Sequence, residues 1–209
     1  FDTPAPTFRS DIYSEYKANR PSSPDELRSQ FPLVKELLSA LNTPFYELDG
    51  YEADDILGTL SAQATNHGLK TIIMTGDSDL LQLVSDSVGV LMQQNMGKQT
   101  LYNPAKVRER YSGLEPEQLI DLKAICGDKS DNIPGIPGMG DKTATPLLLK
   151  YGTLGNIYSN IDQIESRPKT LLQDHKFAAY QGQELVKILQ TAPVNINVEE
   201  ATLQNYDRT

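Results

Sequence analysis

The sequence predicts an α/β fold, with a core that has a mainly parallel sheet in residues 1–103 and a helical subdomain in residues 104–209. Strand-like apolar segments alternate with helical segments up to residue 84, which is the pattern of parallel strands joined by helices. From residue 104 onward the pattern is almost wholly helical. With 209 residues, 38% of them hydrophobic, the chain is long enough to bury a core.

Residues 1–30 are interrupted by repeated prolines and predict loops or short helices. Apolar residues at helical spacing predict helices at Phe31–Leu41 and Asp54–His67. A short strand is predicted at Tyr46–Leu48, and the β-branched segment Lys70–Thr75 predicts a buried strand. The remaining predicted elements are a helix at Leu80–Val84, hairpin strands at Val88–Gln93 and Gln99–Tyr102 around the turn Asn95–Lys98, helices at Pro104–Tyr111 and Pro116–Ile125, and a strand at Val194–Val198.

The composition excludes several classes of protein. The apolar runs are too short to span a bilayer and no secretory leader precedes them, so we expect a cytoplasmic protein with no membrane partner. The single cysteine, Cys126, excludes an internal disulfide and a multi-cysteine zinc site. With only His67 and His175 as further soft ligands, a bound metal is expected to be a hard ion held by oxygen. Because the chain begins with Phe1, we interpret it as a fragment.

The net charge of −9 has two interpretations. Proteins that bind nucleic acid are usually basic, because contacts to phosphate supply much of the affinity. An acidic chain therefore either lacks a polyanionic partner, or concentrates its carboxylates in one place where cations neutralise them. The positions of the carboxylates decide between these alternatives.

Three acidic clusters stand at predicted element ends: Glu52-Ala53-Asp54-Asp55, Asp77-Ser78-Asp79 and Asp128-Lys129-Ser130-Asp131-Asn132. Taken singly, each is explained by helix capping or turn formation. Taken together, they are at positions that an α/β topology can bring to one place, where their mutual repulsion requires counter-ions. Carboxylates and water are the ligands that Mg²⁺ or Mn²⁺ prefers, and two such ions roughly 4 Å apart can cleave a phosphodiester.

A glycine-rich segment, Gly135–Ala144, precedes an apolar helical run. Its glycines allow backbone N–H groups to face a phosphate at a helix N-terminus, where Lys142 adds a positive charge. The segment lacks the Gly-Lys-Ser/Thr ending of a nucleotide-binding loop and has the form of a helix–hairpin–helix element that binds DNA without reading its sequence. Pro146 lies only a turn or so into the following helix, where a proline is tolerated if it falls within the first turn.

The chain resembles the 5′–3′ exonuclease (5′ nuclease) domain of bacterial DNA polymerase I, which is related to the flap endonucleases. The resemblance covers essentially the whole chain, and its motifs occur in family order. The matching strings are Phe1-Asp2, Phe8-Arg9, Tyr16-Lys17-Ala18-Asn19-Arg20, Gly50-Tyr51-Glu52-Ala53-Asp54-Asp55, Thr75-Gly76-Asp77-Ser78-Asp79-Leu80, Gly127-Asp128-Lys129-Ser130-Asp131-Asn132-Ile133-Pro134-Gly135 and Gly138-Met139-Gly140-Asp141-Lys142-Thr143-Ala144.

The resemblance implies a PIN-like nuclease core and a helical subdomain with a helix–hairpin–helix (H3TH) element at about residues 127–151. It implies two divalent ions, Mg²⁺ or Mn²⁺, and leaves open a K⁺ at the hairpin. One ion position is expected to use Asp2, Glu52, Asp54 and Asp55, and the second Asp77, Asp79, Asp128 and Asp131. These eight carboxylates account for all but one of the net negative charges, which reconciles the acidity with DNA binding.

The resemblance also implies the residues that act on DNA. The expected catalytic residues are Lys17 and Arg20, which grip the scissile phosphate from an arch, and Asp55, which lies near both ions. The expected DNA-binding residues are Tyr16, which is available to stack on a base, together with Lys17, Arg20, Gly138, Gly140, Lys142 and Thr143.

The implied function is a structure-specific 5′ nuclease that removes flaps and RNA primers in bacterial replication and repair. Its expected partners are DNA with a 5′ flap, nick or RNA primer and the polymerase region of the same parent chain, and its expected location is the cytoplasm, at the nucleoid. In the family, a central strand that ends in Asp-Gly precedes Phe1 and carries a further metal ligand. The alternative is therefore a truncated module that binds DNA without cutting it. A calcium-binding or phosphatase-like protein is a third interpretation, but its ligands would be packed far more closely in sequence.

Overall fold

The computed structural model describes residues 1–93 and 97–202 of the chain. Its sheet has three strands, β1 (Thr71–Thr75), β2 (Val88–Gln93) and β3 (Gln99–Tyr102), in the order β1-β2-β3. Strands β1 and β2 pair in parallel, whereas β2 and β3 form an antiparallel hairpin. The predicted α/β fold and its parallel pair are confirmed, although the sheet as a whole is mixed. Two residues of the predicted hairpin turn, Asn95 and Met96, lie outside the described residues.

The described residues also form ten α-helices and two 3₁₀ turns. The helices are α1 (Phe8–Ile12), α2 (Asp25–Arg28), α3 (Gln30–Ala40), α4 (Ala53–Asn66), α5 (Pro104–Arg110), α6 (Gln118–Cys126), α7 (Asp141–Tyr151), α8 (Leu154–Ser159), α9 (Ser166–Asp174) and α10 (Lys176–Val186). The 3₁₀ turns are Asp79–Leu83, where a helix is predicted at Leu80–Val84, and Ile161–Gln163. Among the described helices, none is both long and apolar enough to cross a membrane.

One hydrophobic core connects the sheet to the helical half of the chain. Val90 of β2, Ile125 of α6, Leu148 of α7 and Leu172 of α9 all belong to it and are fully buried. A smaller apolar cluster, formed by Tyr16, Ile133, Leu185 and Val186, lies beneath the segment that carries the predicted basic DNA contacts. The two clusters hold α6 and the loop that follows it close to the C-terminal end of β1.

Two predicted strands are absent from the described residues. Residues 46–48 have no neighbouring strand, and Tyr46 only accepts a hydrogen bond of 2.7 Å from the amino group of Phe1. Residues 194–198 form no strand, and the Gln63 amide of α4 pairs with the Val194 carbonyl and the Ile196 N–H, at 2.7 and 2.8 Å. A side chain thus takes the place of a neighbouring strand.

Strand β1 is less buried than predicted, and Pro146 lies beyond the first turn of its helix. Ile73 is buried, but Ile72 and Met74 are 63% and 67% exposed, because only one face of β1 is covered in the described structure. Pro146 lies in the second turn of α7 rather than the first, because that helix begins at Asp141. Since proline has no N–H, the Lys142 carbonyl receives no hydrogen bond from it.

Candidate metal centre and nucleic-acid interface

The first acidic cluster begins helix α4. Glu52 is its N-cap residue and forms a capping box with Asp55, whose Oδ2 accepts a hydrogen bond of 3.1 Å from the Glu52 N–H. Asp2 reaches the same end of the helix, where its Oδ1 accepts a bond of 2.8 Å from the Ala53 N–H. The local capping role expected for such acids is therefore present, and it fixes three carboxylates and Asp54 at one helix end.

The other two clusters form turns after a strand and after a helix. Asp77 follows β1, and its Oδ1 accepts a bond of 2.8 Å from the Asp79 N–H. Asp128 follows α6, and its Oδ1 accepts bonds from the N–H and the hydroxyl of Ser130 at 2.8 and 2.5 Å. Paired backbone hydrogen bonds between Asp128 and Ile133 close this second loop.

The electrostatics of Asp54 indicate that the first two acidic clusters lie close together. Burial raises the pKa of Asp54 from its ordinary 3.8 to about 7, and the negative charge of Asp77 is the next largest cause. Glu52 and Asp2 act in the same direction, while Lys17 opposes them. Carboxylates from α4, from the loop after β1 and from Asp2 therefore share one field that is not fully neutralised.

The predicted basic segment lies directly on these carboxylates. Lys17 Nζ donates to Glu52 Oε1 at 2.8 Å and lies 3.8 Å from Asp131 Oδ2. Arg20 forms an ion pair with Asp131, and its Nε donates to the Ser130 carbonyl. The backbone N–H of Lys17 donates to the Asp131 carbonyl at 2.9 Å. Lys17 therefore contacts both Glu52 and Asp131, and Asp131 belongs to the same loop as Asp128.

Tyr16 is not placed for the base stacking that was predicted. Its ring is 9% exposed, and its hydroxyl donates to Asp131 Oδ2 at 3.1 Å and contacts Glu52 Oε2 at 3.3 Å. Burial, followed by the charges of Glu52 and Asp131, raises the pKa of this phenol. Tyr16 is thus a hydrogen-bond donor to the carboxylates instead of an exposed stacking surface.

Asp55, for which a catalytic and metal-binding role is predicted, lies in a buried hydrogen-bond network. It is completely buried, and both of its oxygens accept hydrogen bonds from Arg9, at 2.7 and 2.8 Å. The N–H groups of Glu52 and Leu189 complete its partners. Burial alone would raise the pKa of Asp55, but Arg9 outweighs it and holds this pKa below its ordinary value. A carboxylate with no free oxygen cannot bind an ion without losing this network, so we assign Asp55 a structural role.

Arg9 is a site residue whose role the sequence did not reveal. Besides Asp55, it donates to the carbonyls of Leu185 and Lys187, both at 2.8 Å. It therefore ties α1 and the start of α4 to the end of α10. The string Phe8-Arg9 was part of the family resemblance, but local sequence gives no sign that its partners are 46 and more than 170 residues away.

Lys123 is the second such residue. Its ammonium on α6 forms ion pairs with both Asp79 and Asp128, the latter at 2.5 Å. Burial raises the pKa of Asp79, the positive charge of Lys123 opposes this effect, and the negative charges of Asp77 and Asp128 add to it. On balance the pKa of Asp79 is raised. For Asp128, the bonds from Lys123 and Ser130 outweigh burial and lower the pKa to about 2.

These acids and Lys123 line a cleft of 430 Å³. Asp77, Asp79, Asp128 and Asp141 supply its carboxylates, and Cys126 also lines it, with a thiol whose pKa burial and Asp141 raise to about 12. The oxygen donors fit a hard divalent ion, and the raised pKa of Asp54 marks negative charge that such an ion would neutralise. Within residues 1–93 and 97–202, however, no three His, Cys, Asp or Glu side chains are grouped closely enough to hold a metal in this conformation.

The glycine-rich hairpin connects α6 to α7 and presents exposed backbone. Ile136 and Met139 are buried and anchor it, while Gly138, Gly140 and Lys142 are exposed. Gly140 is the N-cap residue of α7, and its carbonyl accepts the N–H of Thr143 at 2.8 Å. A Cβ on Gly138 would lie 3.1 Å from a guanidinium nitrogen of the exposed residue Arg167, so α9 places beside the hairpin a further cation that the sequence analysis missed.

Models of one family match the chain along its length. The model described as the 5′–3′ exonuclease N-terminal resolvase-like domain matches residues 1–112, and the 5′–3′ exonuclease C-terminal SAM fold matches residues 114–209. The DNA polymerase I of Chloroflexus aurantiacus is 47% identical over 206 residues, which are 97% of this chain and 22% of that protein. The DNA polymerase I of Bacillus caldotenax is 45% identical over 210 residues, which are 100% of this chain and 24% of that protein. The chain thus spans about a quarter of the length of these relatives.

Solved structures share the fold. The bacteriophage T5 5′-exonuclease with bound zinc ions has a TM-score of 0.73 at 25% identity, covering 88% of this chain and 71% of that one. The T5 D15 flap endonuclease in a complex with DNA and metal ions has a TM-score of 0.74 at 23% identity, covering 90% and 72%. The catalytic core of Rad2 with a DNA substrate has a TM-score of 0.56 at 17% identity, covering 99% and 68%.

Proposed function

The chain belongs to the 5′–3′ exonuclease family, and we propose on this basis that it is a divalent-metal-dependent 5′ nuclease that hydrolyses DNA phosphodiesters. One observation carries the proposal: lysines bridge carboxylates of the three acidic clusters, since Lys17 contacts Glu52 and Asp131 and Lys123 contacts Asp79 and Asp128. Such a concentration of negative charge is costly unless cations neutralise it. Zinc ions bound to the related T5 5′-exonuclease support the assignment of divalent ions to these carboxylates.

In this proposal two ions, Mg²⁺ or Mn²⁺, are held by the carboxylates that remain after Asp55 is set aside. Asp2, Glu52 and Asp54 hold the first, Asp77, Asp79 and Asp128 hold the second, and Asp131 lies between the two groups. When bound, such ions activate a water nucleophile and stabilise the leaving oxygen. With hard ions in these roles, no serine or cysteine nucleophile is required.

The chain's own cations position the DNA. Lys17 and Arg20 are only partly buried, so they can turn from Glu52 and Asp131 towards the scissile phosphate once other cations occupy the carboxylates. The exposed backbone of Gly138 and Gly140, with Lys142 and Thr143, holds a more distant phosphate at the start of α7. Contacts of this kind recognise backbone rather than bases, which suits substrates defined by their shape: a 5′ flap, a nick or an RNA-primer end.

The parent protein in this proposal is a bacterial DNA polymerase I that acts in the cytoplasm at the nucleoid, since the curated relatives are bacterial enzymes of that name. Its polymerase region would extend the strand whose obstructing 5′ end this chain removes. The hairpin is also a candidate site for K⁺, because its carbonyl oxygens are suitable ligands.

The experiment is cleavage of a 5′-flap duplex in Mg²⁺ by the Asp77→Ala and Asp128→Ala variants. We expect each variant to lose about a hundredfold or more in rate while binding the duplex as before. Asp162→Ala is the matched control, because this exposed carboxylate pairs with Lys169 outside the site. Wild-type rates in both site variants would refute the proposal.

A second candidate function is a module that binds DNA without cutting it. The observation in its favour is that no described group of three ligating side chains is close enough to hold a metal in this conformation. Incubation of the wild-type chain with flap DNA and Mn²⁺ separates the two candidates. Turnover that is lost in Asp77→Ala excludes the module, whereas tight binding with no turnover in either protein supports it.

A further inference from the structure

Lys123 joins two carboxylates that the proposed function assigns to one metal ion. It lies in the last turn of α6 and donates to Asp79 Oδ1 and to Asp128 Oδ2. The second oxygen of Asp128 is already bound by the N–H and hydroxyl of Ser130. The Lys123 ammonium therefore takes the oxygens that would otherwise face the cleft.

An ammonium and a divalent ion require the same oxygens in the same place. Both are cations that bind carboxylate oxygens. An ammonium and a divalent ion placed together between Asp79 and Asp128 would repel each other strongly, so only one of them binds there at a time.

We propose that Lys123 is a built-in counter-cation: it keeps Asp79 and Asp128 together before metal binds, and a divalent ion must displace its ammonium to enter this half of the site. The inference rests on the proposed function only in requiring that a divalent ion binds here. Lys123 is a positioning residue in this view, because it acts through the carboxylates.

The surroundings of Lys123 allow the displacement. Its side chain is 25% exposed and borders the open cleft of 430 Å³, so the ammonium can rotate into solvent without a change in the backbone. The Arg9–Asp55 pair provides the contrast, since both side chains are at most 2% exposed and Arg9 also binds two backbone carbonyls. Of these two pairings, only that of Lys123 is reversible at low cost.

The test is a titration of the metal-free chain with Mn²⁺ alone and without DNA. Electron paramagnetic resonance measures the concentration of free Mn²⁺ at each step. Lys123→Met removes the charge and retains an unbranched apolar side chain. We expect it to bind the ion at the Asp79–Asp128 position about tenfold more tightly than wild type, since a charge-assisted hydrogen bond no longer has to be broken. Asp79→Asn identifies this binding event by weakening it.

Two control variants accompany Lys123→Met: one keeps the positive charge at position 123, and the other makes the same lysine-to-methionine substitution away from the site. Lys123→Arg retains a cation and is expected to show no gain in Mn²⁺ affinity. Lys169→Met removes a lysine that pairs with Asp162 away from the site and is expected to leave the titration unchanged. Affinity that is equal or weaker in Lys123→Met than in wild type overturns the inference.

A measurement on the wild-type chain covers the case in which Lys123→Met does not fold. Lysine acylation, read out by peptide mass spectrometry, should increase several-fold at Lys123 when Mg²⁺ is added and remain constant at Lys169. Unchanged reactivity of Lys123 at saturating Mg²⁺ also overturns the inference.

The outcomes separate this inference from the proposed function. A chain that shows the Lys123 effects but cuts no flap DNA supports the counter-cation and refutes the nuclease. A chain that cuts flap DNA but shows neither effect supports the nuclease and refutes the counter-cation.

Discussion

Asp54 and Asp55 are adjacent in the chain, but their carboxylates lie in opposite electrostatic environments. Burial, together with the negative charges of Asp77 and Glu52, raises the pKa of Asp54 to about 7. Asp55 is held by Arg9, which lowers its pKa despite complete burial. Asp54 is therefore suited to binding a cation from solution, whereas Asp55 already pairs with the guanidinium of Arg9.

This difference predicts opposite effects of the same substitution on stability. Asp55→Asn leaves the Arg9 charge buried without its partner and should lower the free energy of unfolding by about 3–5 kcal/mol. Asp54→Asn removes repulsion and should leave the metal-free chain at least as stable as wild type at pH 8. Urea unfolding in the presence of EDTA measures both variants, and losses of equal size would contradict the assignment.

The sequence could not distinguish these two aspartates. Their neighbours in sequence are the same, and the partner that separates them, Arg9, is 46 residues from Asp55. The hydrogen bond of Tyr16 to Asp131 could not be predicted either, because the family resemblance implied only that Tyr16 is available to stack on a base. The acidic clusters themselves were predictable, because capping and turn chemistry fixes Asp and Glu at element ends.

The elements α6 and α7 are joined by a loop in which two backbone segments touch. A Cβ on Gly135 would lie 2.2 Å from the Gly127 nitrogen and 2.6 Å from the Cys126 carbonyl carbon, and Gly135 has a φ of +62°. Both facts require glycine at this position. The contact keeps the loop of Asp128 and Asp131 at a fixed distance from the hairpin.

Gly135→Ala should therefore lower the free energy of unfolding by at least about 3 kcal/mol, because backbone atoms must move to admit the methyl group. Gly140→Ala is the matched control in the same hairpin. A Cβ there meets no atom within 4 Å, and its φ of −120° suits any residue, so a loss below about 1 kcal/mol is expected. Chemical denaturation of both variants tests this, and similar losses would argue against a steric requirement at Gly135.

Local pattern predicted the elements well where local interactions form them. Helix α4 and strands β2 and β3 begin and end within a residue or two of prediction. The strands predicted at residues 46–48 and 194–198 failed, because a strand needs a partner and sequence pattern does not provide one. The prediction that β1 is buried was wrong in part for a similar reason. The exposure of Ile72 and Met74 depends on which elements cover that face of the sheet, and the local pattern does not contain this information.

At the scale of the whole molecule, the negative charge is concentrated and partly compensated from within. Eight carboxylates were predicted to form the site, and within the described part of the chain four cations contact members of that set: Arg9, Lys17, Arg20 and Lys123. Under the proposed function, the chain presents basic groups to DNA once metal ions replace its own cations on the carboxylates. The net charge of −9 is that of the chain without metal ions.

The remaining excess charge predicts the pH dependence of stability in the absence of metal. The folded-state pKa of Asp54, about 7, exceeds its ordinary 3.8, so the folded chain binds the extra proton and loses stability as pH rises from about 4 to about 7. Asp128 has the opposite sign: its folded pKa of about 2 gives stability that is complete above about pH 4 and is lost as pH falls through 2. Stability in EDTA should therefore be greatest near pH 4–5.

Divalent ions should reverse the loss on the alkaline side, because they bind the folded carboxylates in their charged form and add stability in proportion to the logarithm of metal concentration. Urea unfolding from pH 3 to pH 8, with EDTA or with Mn²⁺, measures both effects. Asp54→Asn should flatten the decline between pH 4 and 7 in EDTA and reduce the gain from Mn²⁺ at pH 7.5. Stability that rises through this interval without metal would mean that Asp54 is already neutralised by a cation of the protein, and the site would then have no excess charge with which to attract a metal ion.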